Sequence, residues 1–443
     1  MGDITDSIEQ SFRKASPRSA EEFERGREFM PGVAKGAYFY RPYPLVIERG
    51  DGCHLHDIEG RRYVDFHNHH TVQILGHRHP AIVEAVNQQM ERGIAFGAPI
   101  GTETDLAEEI CRRVESIERV RFCTSGTEAT LHAIRLARGF RGRSKIAKFE
   151  GGYHGSHDAV EVSVSPPLDR AGPDTAPYSV PTAGGISPSA IDEVIVLPYN
   201  DTAAVERIVS THAEQLSCVI LDPKAGILPV SDEFIRAVRE ITRKHDVLMI
   251  LDEIVAFRLG PSGLQGAYNV QPDLTTYGKI VGGGFPLAAL GGRTDIMNLF
   301  DPTDGPTGFF QSGTYSAHPI AIVAGLAMLR ELTPAAFERL NSLAERLCSG
   351  LREVIEQRGV AAQVVNLGSV FSIAFTSHEL KSYRQLATSD GAMAHRMHLA
   401  LLEEGYLMSH TMGMNSLSLA MDKSHIDGLI AAFDRALKRA EAA

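Results

Sequence analysis

Cysteine is scarce in this chain of 443 residues, and its spacing suits neither a disulfide framework nor a metal site. The five cysteines are scattered and odd in number, and no two of them have the C-x-x-C spacing of zinc and redox sites. These residues are Cys53, Cys111, Cys123, Cys218 and Cys348. We therefore expect a reduced, cytoplasmic protein without a metal centre.

Long apolar runs and an excess of positive charge are also missing. No apolar run approaches the ~20 residues that a membrane-spanning helix needs, and the N-terminus has no signal-peptide pattern. The formal net charge of −11 disfavours binding to nucleic acid or to an anionic membrane. We therefore expect small molecules as ligands, and neither nucleic acid nor membrane as a partner.

The length and the order of the predicted elements indicate more than one domain. A single core stops growing near ~250–300 residues, and this chain is longer. Residues 1–75 predict a charged helix followed by a small antiparallel β-meander. Helices and strands then alternate, which predicts a large domain over residues 76–317 with a mainly parallel sheet wrapped by helices. Residues 318–443 predict a smaller α+β domain.

The most informative residues of the chain are an acid and a lysine. Asp252 ends the apolar run that begins at Val247, and Lys279 follows in a turn of small residues. A lysine amine can form a Schiff base with the aldehyde of pyridoxal phosphate (PLP), and a carboxylate can keep the pyridine nitrogen of that cofactor protonated. Either residue alone is better explained as a surface lysine or a helix-capping aspartate. The pair becomes evidence for a PLP site only because two further motifs stand in the expected order along the chain.

An anion-binding turn is the first of these motifs. Ser125, Gly126 and Thr127 follow a short predicted strand and open a helix with an apolar stripe. The N–H groups and the positive dipole end of such a helix face an anion, and Gly126 lets the backbone approach a phosphate. Because Ser-Gly-Thr also caps ordinary helices, the turn alone is weak evidence.

An aromatic residue among glycines is the second motif. Tyr153 lies in Gly151-Gly152-Tyr153-His154-Gly155, after another short apolar stretch. Such a ring can lie flat on a cofactor ring, although a core or turn aromatic is the better explanation of Tyr153 taken by itself. The turn, the aromatic, the acid and the lysine together favour a PLP site.

With these motifs the chain resembles the class III (ornithine-aminotransferase-like) aminotransferases of PLP fold type I. It is most similar to the branch that holds glutamate-1-semialdehyde aminomutase and the β-amino-acid (β-phenylalanine-type) aminotransferases. The similarity begins near Phe29 and includes Leu75-Gly76-His77-Arg78-His79-Pro80, Pro198-Tyr199-Asn200-Asp201, Gly278-Lys279-Ile280-Val281-Gly282-Gly283-Gly284 and Ser312-Gly313-Thr314-Tyr315. The resemblance implies a large PLP-binding domain and a smaller α+β domain built from the N- and C-terminal segments.

The resemblance also implies roles for the motif residues. Lys279 would carry the cofactor as an internal aldimine and then act as the base, and Asp252 would pair with the pyridinium nitrogen. The remaining cofactor contacts would come from Ser125, Gly126 and Thr127 at the phosphate, Tyr153 and Ile254 on the ring faces, and Thr314 from the neighbouring subunit. The active site would then be shared within a homodimer.

Residues expected on the substrate side depart from the family pattern. The stretch from Tyr406 to Asn415 has neither the gate acid of the aminomutases nor the carboxylate-binding arginine of the β-amino-acid aminotransferases. Met412 stands at the position of that arginine, and Asp222 stands where relatives often carry a glutamate. The other candidates are Lys35, Arg41, His69 and Arg258. His69 and its histidine neighbours could suggest a metal site, but adjacent residues of an extended strand point to opposite faces and no further ligand stands at a usual spacing. We therefore interpret them as polar pocket lining.

The leading prediction is a PLP-dependent aminotransferase. It would move an amino group from an amine or amino acid, with a β-amino acid as one candidate, to an oxo acid through aldimine and ketimine intermediates. The first alternative is a PLP-dependent isomerase, either an aminomutase or a racemase, and the missing gate acid counts only against the aminomutase. The second alternative is a PLP-binding protein without turnover, which the retained lysine, aspartate and phosphate turn disfavour.

Overall fold

The β-rich stretch after the charged N-terminus and the alternating apolar runs further along form separate sheets. The computed structural model describes residues 3–33, 38–223, 228, 230–303, 305 and 307–441. The strands are β1 (Ile47–Asp51), β2 (His54–Asp57), β3 (Arg62–Asp65), β4 (Arg119–Cys123), β5 (Lys145–Phe149), β6 (Val194–Leu197), β7 (Leu216–Leu221), β8 (Leu248–Asp252), β9 (Leu274–Tyr277), β10 (Ala288–Gly292), β11 (Gln363–Leu367), β12 (Val370–Ala374), β13 (Tyr406–Leu407) and β14 (Asn415–Ser416).

The helices alternate with these strands along much of the chain, and several of them begin at a capping side chain. They are α1 (Asp3–Ala15), α2 (Pro17–Arg27), α3 (Asn68–Thr71), α4 (Pro80–Arg92), α5 (Gly101–Arg113), α6 (Gly126–Arg141), α7 (Pro188–Asp192), α8 (Thr202–His212), α9 (Asp232–Lys244), α10 (Gly263–Tyr268), α11 (Thr294–Met297), α12 (Pro319–Glu331), α13 (Pro334–Arg358), α14 (Tyr383–Leu386), α15 (Gly391–Glu403) and α16 (Lys423–Glu441). The helix predicted over residues 232–244 is α9, whose first turn is capped by the Ser231 hydroxyl accepting the Phe234 N–H at 3.1 Å.

The larger sheet has seven strands in the order β4-β10-β9-β8-β7-β5-β6. The strands from β9 to β6 in this order are parallel to one another, whereas β10 pairs antiparallel with both β4 and β9. All side chains of β7, β8, β9 and β10 are buried, which is typical of a sheet covered by helices on both faces. The predicted fold class, with its mainly parallel sheet and smaller α+β part, is confirmed.

The chain divides into two units. The larger unit comprises Pro80–Phe337 and Glu379–Ala387, and the smaller unit comprises Met1–His79, Glu338–His378 and Thr388–Ala443. Helix α12 belongs to the larger unit because it packs against α4 and α5. The boundary predicted at residue 318 therefore lies inside the larger unit. The short segment Glu379–Ala387 also joins the larger unit, which no sequence pattern indicated.

The smaller unit is built from both ends of the chain. Strands β1, β2 and β3 form the predicted antiparallel meander, and β13 adds to β3 as a parallel strand. A second sheet has the order β11-β12-β14. An aromatic-rich core of the smaller unit contains Ile8, Phe12, Phe23, Tyr40, Tyr43, Tyr63, Leu399 and Leu402. N- and C-terminal residues share this core, as the prediction of one domain from the two terminal segments requires.

The helices were also compared with the length and hydropathy of a membrane span. Among the described residues, no single helix is both long and apolar enough to cross a bilayer. One bent pair, α12 with α13, meets the criterion only when the two helices are taken together, by length and composition. Most residues of α12 are buried within the protein, which is also the property of a core helix.

A buried ion-pair cluster fixes the start of β9, the strand that leads to Lys279. Asp273 accepts hydrogen bonds from Arg239 at 2.5 and 3.1 Å, from Arg293 at 2.7 Å and from the Met249 N–H at 2.8 Å. The Asp273 side chain is only 4% exposed. Removing this carboxylate would leave the guanidinium of Arg239 buried without its counter-charge.

We predict that Asp273→Ala lowers the free energy of unfolding by about 3–5 kcal/mol, the usual loss when one partner of a buried ion pair is removed. Urea denaturation followed by circular dichroism measures this loss. The matched control is Asp427→Ala, because Asp427 also accepts two hydrogen bonds from an arginine, Arg346, but its side chain is 49% exposed. The control should lose far less, because an exposed ion pair adds little to stability. Equal losses in the two variants would contradict the structural role of Asp273.

Candidate active site

Two neighbouring parallel strands bring the predicted acid and lysine to one edge of the larger sheet. Asp252 is the last residue of β8 and pairs in register with Thr276 of β9. Lys279 follows β9 after Gly278, at the beginning of a 3-10 turn. Ligands of open α/β sheets bind at the carboxyl ends of parallel strands, and both residues lie there.

The Asp252 carboxylate is held by three donors. Its Oδ1 accepts the Thr276 hydroxyl at 2.9 Å and the Ile254 N–H at 3.2 Å. Its Oδ2 lies 2.8 Å from Nδ1 of His154, and we assign the proton of this contact to the imidazole. Asp252 is 4% exposed and His154 is 1% exposed. These bonds fix the orientation of the carboxylate, and they give His154 a positioning role that the sequence left open.

Lys279 occupies a strained and partly buried position. Its φ of 50° lies in the left-handed region, which a residue with a side chain enters at a cost of about 1–2 kcal/mol. Burial lowers the pKa of its amine to about 8, while the negative charges of Asp252 and Asp222 act in the opposite direction and Arg258 acts with burial. The amine therefore loses its proton far more readily than an exposed lysine, and the neutral amine is the nucleophilic form.

The predicted phosphate turn opens α6. Ser125 is its N-cap and accepts the Glu128 N–H at 3.3 Å. The N–H groups of Gly126 and Thr127 belong to the first turn of the helix, where no intrahelical acceptor exists. Such free N–H groups and the positive dipole end suit a phosphate.

Ile254 joins this turn to the lysine. A Cβ atom at Gly126 would lie 2.6 Å from Cδ1 of Ile254, and one at Gly278 would lie 3.3 Å from its Cγ2. The Ile254 side chain therefore packs between the residue that opens α6 and the residue that precedes Lys279. The glycines permit this approach, so the phosphate turn and the lysine turn lie on either side of one side chain.

The turn that carries Tyr153 is bonded to α6. The Thr130 hydroxyl donates to the carbonyl of His154 at 2.6 Å, and the Ser156 N–H donates to the Thr127 hydroxyl at 3.2 Å. Tyr153 itself is 52% exposed, which is unusual for a tyrosine that belongs to a core. Its stacking on a cofactor ring stays a prediction.

Asp222 and Arg258 are the two substrate candidates of the larger unit that lie near Lys279. Asp222 directly follows β7, the parallel neighbour of β8, and is 9% exposed. Arg258 is 1% exposed in the 3-10 turn that follows β8, and burial lowers its pKa to about 9. Both charges act on the Lys279 amine, so the structure brings these two predicted residues to the lysine.

The remaining candidates lie elsewhere in the chain. Arg41 is exposed and Met412 is fully buried, and both belong to the smaller unit. Lys35 lies outside the described residues. Thr314 is exposed in the turn that precedes α12. Its predicted contact with the phosphate of a neighbouring subunit stays a prediction.

The expected extended strand around His69 is not observed. The four residues of α3, Asn68–Thr71, have φ values of 49°, 53°, 51° and 73°, so they form a left-handed turn. Asp65 stabilises its start, because its Oδ1 accepts the N–H groups of His67 and Asn68 at 2.9 and 2.8 Å. His69 is exposed, and its Nδ1 lies 3.0 Å from the hydroxyl of Tyr38. The argument from alternating faces is therefore wrong here, and pocket lining by His69 stays a prediction.

Sequence reasoning missed two residues that support the site. Thr276 orients Asp252 from the neighbouring strand, and its place three residues before Lys279 was the only signal. Arg384 donates to the Glu150 carboxylate at 3.0 Å from two of its nitrogens and also to the carbonyl of Gly172 at 2.7 Å. It thereby ties the long loop after β5 to the strand end that precedes Tyr153. Arg384 is distant in sequence from every motif, so no local signal indicated it.

Comparisons with known proteins agree with this geometry. The sequence profile of the family described as aminotransferase class-III matches residues 36–437. The chain belongs to this family. The glutamate-1-semialdehyde 2,1-aminomutase of Caldivirga maquilingensis is 36% identical over 430 residues, which cover 95% of this chain and 97% of that protein.

Two solved structures are also similar to this aminotransferase-family chain. An ω-transaminase from Sphaerobacter thermophilus has a TM-score of 0.92 and 40% identity, over 96% of this chain and 98% of that one. A β-phenylalanine aminotransferase from Variovorax paradoxus has a TM-score of 0.87 and 34% identity, over 99% and 97% of the two chains.

The chain is therefore a class III, PLP-dependent enzyme that acts on a small-molecule amino donor and oxo acceptor. The residues at the sheet edge fit pyridoxal 5'-phosphate. They supply an anion turn with free N–H groups, a buried and oriented carboxylate, and a lysine whose pKa is lowered. The predicted family, enzyme class and cofactor are confirmed.

We predict that the Lys279 amine of the cofactor-free protein titrates near pH 8 and that Asp252→Asn lowers this pKa further. The substitution removes a negative charge that favours the protonated amine. The measurement is the pH dependence of amine labelling at Lys279, quantified by mass spectrometry. Asp246→Asn, which removes an exposed carboxylate, is the control and should leave the curve in place. A higher pKa in Asp252→Asn would contradict the predicted direction.

Proposed function

We propose that this enzyme transfers an amino group from an amine or amino acid with an apolar portion, with a β-amino acid as the leading donor, to an oxo acid. The observation that carries the proposal is the meeting of Lys279, with its lowered pKa, and the oriented Asp252 carboxylate at one sheet edge. The similarity to an ω-transaminase and to a β-phenylalanine aminotransferase supports the donor class.

The site residues of the larger unit then have distinct roles. When bound, the cofactor supplies an electron sink for the carbanion that forms on the substrate. Asp252 holds a proton on the pyridine nitrogen, and His154 keeps its carboxylate in place. Lys279 would hold the cofactor through its amine, and with the cofactor bound its Nζ would take and return the proton that moves on the substrate.

The cofactor is held by the turn and by apolar side chains. Ser125, Gly126 and Thr127 offer N–H and hydroxyl donors to its phosphate. Ile254 and Tyr153 would cover the two ring faces. The role of Ile254 is supported by its packing beside Gly126 and Gly278. These residues would hold the cofactor near Asp252 and Lys279.

The candidates for substrate contacts include cations and apolar side chains. Arg258 is the best-supported carboxylate-binding residue, because its charge already acts on Lys279. Lys35, Arg41 and His69 are further candidates, and Asp222 is a candidate for a polar group of the substrate. Met412 and Met408 are buried in the smaller unit, and methionine surfaces adapt to apolar ligands of different shape.

An isomerase is the second candidate. A relative supports this candidate. It is 36% identical to this chain over nearly its whole length and is named a glutamate-1-semialdehyde 2,1-aminomutase. The residues from Tyr406 to Asn415 contain no acid, although the aminomutases that the chain resembles carry one there. This difference favours transamination over the aminomutase reaction, and it does not bear on a racemase.

We also propose a cytoplasmic location. Each of the five cysteines is a free thiol, and four of them are buried. Thiols persist most readily in a reducing compartment.

A half-reaction separates the candidates. We predict that the holoenzyme, given a β-amino acid or an apolar amine without any oxo acid, yields an oxo product and pyridoxamine phosphate in equal amounts. An isomerase would return pyridoxal phosphate with a rearranged or racemised amino compound. Liquid chromatography of cofactor and products measures both outcomes. The control is Lys279→Ala, which should lose the visible absorption of the lysine-bound cofactor and turn over no donor.

We further propose a homodimer in which Thr314 of each chain binds the phosphate of the other site. Loss of this donor should weaken cofactor binding by about 1.5–3 kcal/mol. We predict that mixing Lys279→Ala chains with Thr314→Ala chains restores activity, at a cofactor concentration at which Thr314→Ala alone is severely impaired, because each heterodimer regains one complete site. Activity after refolding of the mixture is the measurement.

The matched control for this mixture is Lys279→Ala with Asp252→Asn. Both of these substitutions affect the site of their own chain, so no heterodimer contains a complete site. Restored activity in the control, an active monomer, or an unrescued first mixture would each contradict the shared site.

A further inference from the structure

Three side chains of metal-ligating type meet in the smaller unit, and none of them is assigned to catalysis. Cys53 and His54 lie at the turn between β1 and β2, and His425 lies in the first turn of α16. One donor atom from each residue lies within 4.8 Å of the other two. The thiol and imidazole ligands of this cluster are those that zinc-type divalent metals prefer.

The geometry at the hairpin is already close to that of a metal site. The Cys53 Sγ lies 3.7 Å from Nδ1 of His54. With metal–sulfur and metal–nitrogen bonds of ~2.3 and ~2.05 Å, a tetrahedral angle separates the two ligand atoms by about 3.6 Å. The His54 and His425 rings have centroids 5.5 Å apart. The donor atom of His425 lies within 4.8 Å of the other two, so it has to move closer to complete the same centre.

The turn that presents Cys53 is fixed by its surroundings. The Gly52 N–H donates to the His77 carbonyl at 3.1 Å, and the His77 N–H donates back to the Gly52 carbonyl at 2.7 Å. The carbonyl of Cys53 accepts the Asp65 N–H at 2.8 Å. Two of the three ligands therefore stand on backbone that is hydrogen-bonded on both sides.

A carboxylate orients the third ligand. Nδ1 of His425 lies 2.7 Å from Oδ1 of Asp422, and a proton on Nδ1 leaves the lone pair of Nε2 for a metal ion. Metal-binding histidines commonly have such a carboxylate partner, which fixes the ring and raises its basicity.

Access and charge are compatible with binding. The Asp422 side chain is 62% exposed and that of His425 is 21% exposed, so an ion can enter from solvent beside the helix. Cys53 is only 3% exposed, and its thiol proton has to leave when the metal binds. The negative charges of Asp422 and Asp65 lie near the thiol, as does the positive charge of Arg62.

We propose that Cys53, His54 and His425 bind a divalent zinc-type metal ion, with Asp422 as the outer partner of His425. The bound ion joins the β1–β2 hairpin to the start of α16, two segments far apart in the sequence. It stabilises the smaller unit, because a ligand that binds only the folded chain raises the melting temperature with its concentration. This site is independent of the proposed transamination.

Cobalt titration of the metal-free holoenzyme, under reducing and anaerobic conditions, tests the site. We expect one cobalt ion per chain, a thiolate-to-cobalt absorption band in the near ultraviolet, and the visible bands of tetrahedral cobalt. Difference spectra against the holoenzyme remove the absorption of the cofactor. Added zinc should abolish the cobalt bands and raise the melting temperature of the protein.

Variants assign the ligands. Cys53→Ser should lose the thiolate band, and His425→Ala should weaken cobalt binding at least tenfold. Asp422→Asn should weaken it about 10–100-fold, as is usual for an outer partner. Cys348→Ser is the control, since Cys348 is another buried thiol of the same unit, and it should keep the full signal.

The outcomes are decisive in either direction. No thiolate band in the wild-type protein, or an unchanged band in Cys53→Ser, would overturn the site. If Cys53→Ser does not fold, the partly exposed His425→Ala decides the matter, with circular dichroism as the check on its fold. Undiminished cobalt binding by a folded His425→Ala variant would also overturn the proposal.

Discussion

The hydrogen-bonded pairing of β8 with β9 is the constraint on which the site depends. It sets Thr276 against Asp252, so that the threonine hydroxyl reaches the carboxylate at 2.9 Å. It also ends both strands at the same edge, which places Lys279 beside that carboxylate. A register shift by one residue would turn these side chains to the opposite face of the sheet. The buried Asp273 cluster at the start of β9 stabilises the register from the other end.

The electrostatics of the lysine follow from a competition among its neighbours. Burial disfavours the charged amine, and two carboxylates from adjacent strand ends favour it. Burial has the larger effect, so the pKa settles near 8 instead of its ordinary value. The positive charge of the buried Arg258 also lowers the pKa of the Lys279 amine, as burial does. An amine poised in this way can exchange a proton with substrate near neutral pH.

The smaller unit contains features that catalysis in the larger unit does not explain. Four consecutive residues with side chains hold a left-handed turn, which Asp65 stabilises through two backbone N–H groups. Local strain of this kind is found most often at functional sites. Asp65 also accepts a hydrogen bond from Nε2 of His77 at 2.9 Å, and His77 pairs with the turn that presents Cys53. One buried carboxylate thus connects the strained turn to the proposed metal site.

The sequence by itself determined the class of fold and the cofactor, and it predicted residues that would meet that cofactor. Alternating apolar runs dictate a parallel sheet, and the chain order of turn, aromatic, acid and lysine dictates a PLP site, because each motif has a local chemical requirement. Only the tertiary structure placed Thr276, Arg384 and the Cys53 cluster, since each depends on partners distant in sequence. It also replaced the expected strand at His69 by a left-handed turn. Short-range pattern carries no information on such contacts, because they arise from packing between segments that local propensity does not connect.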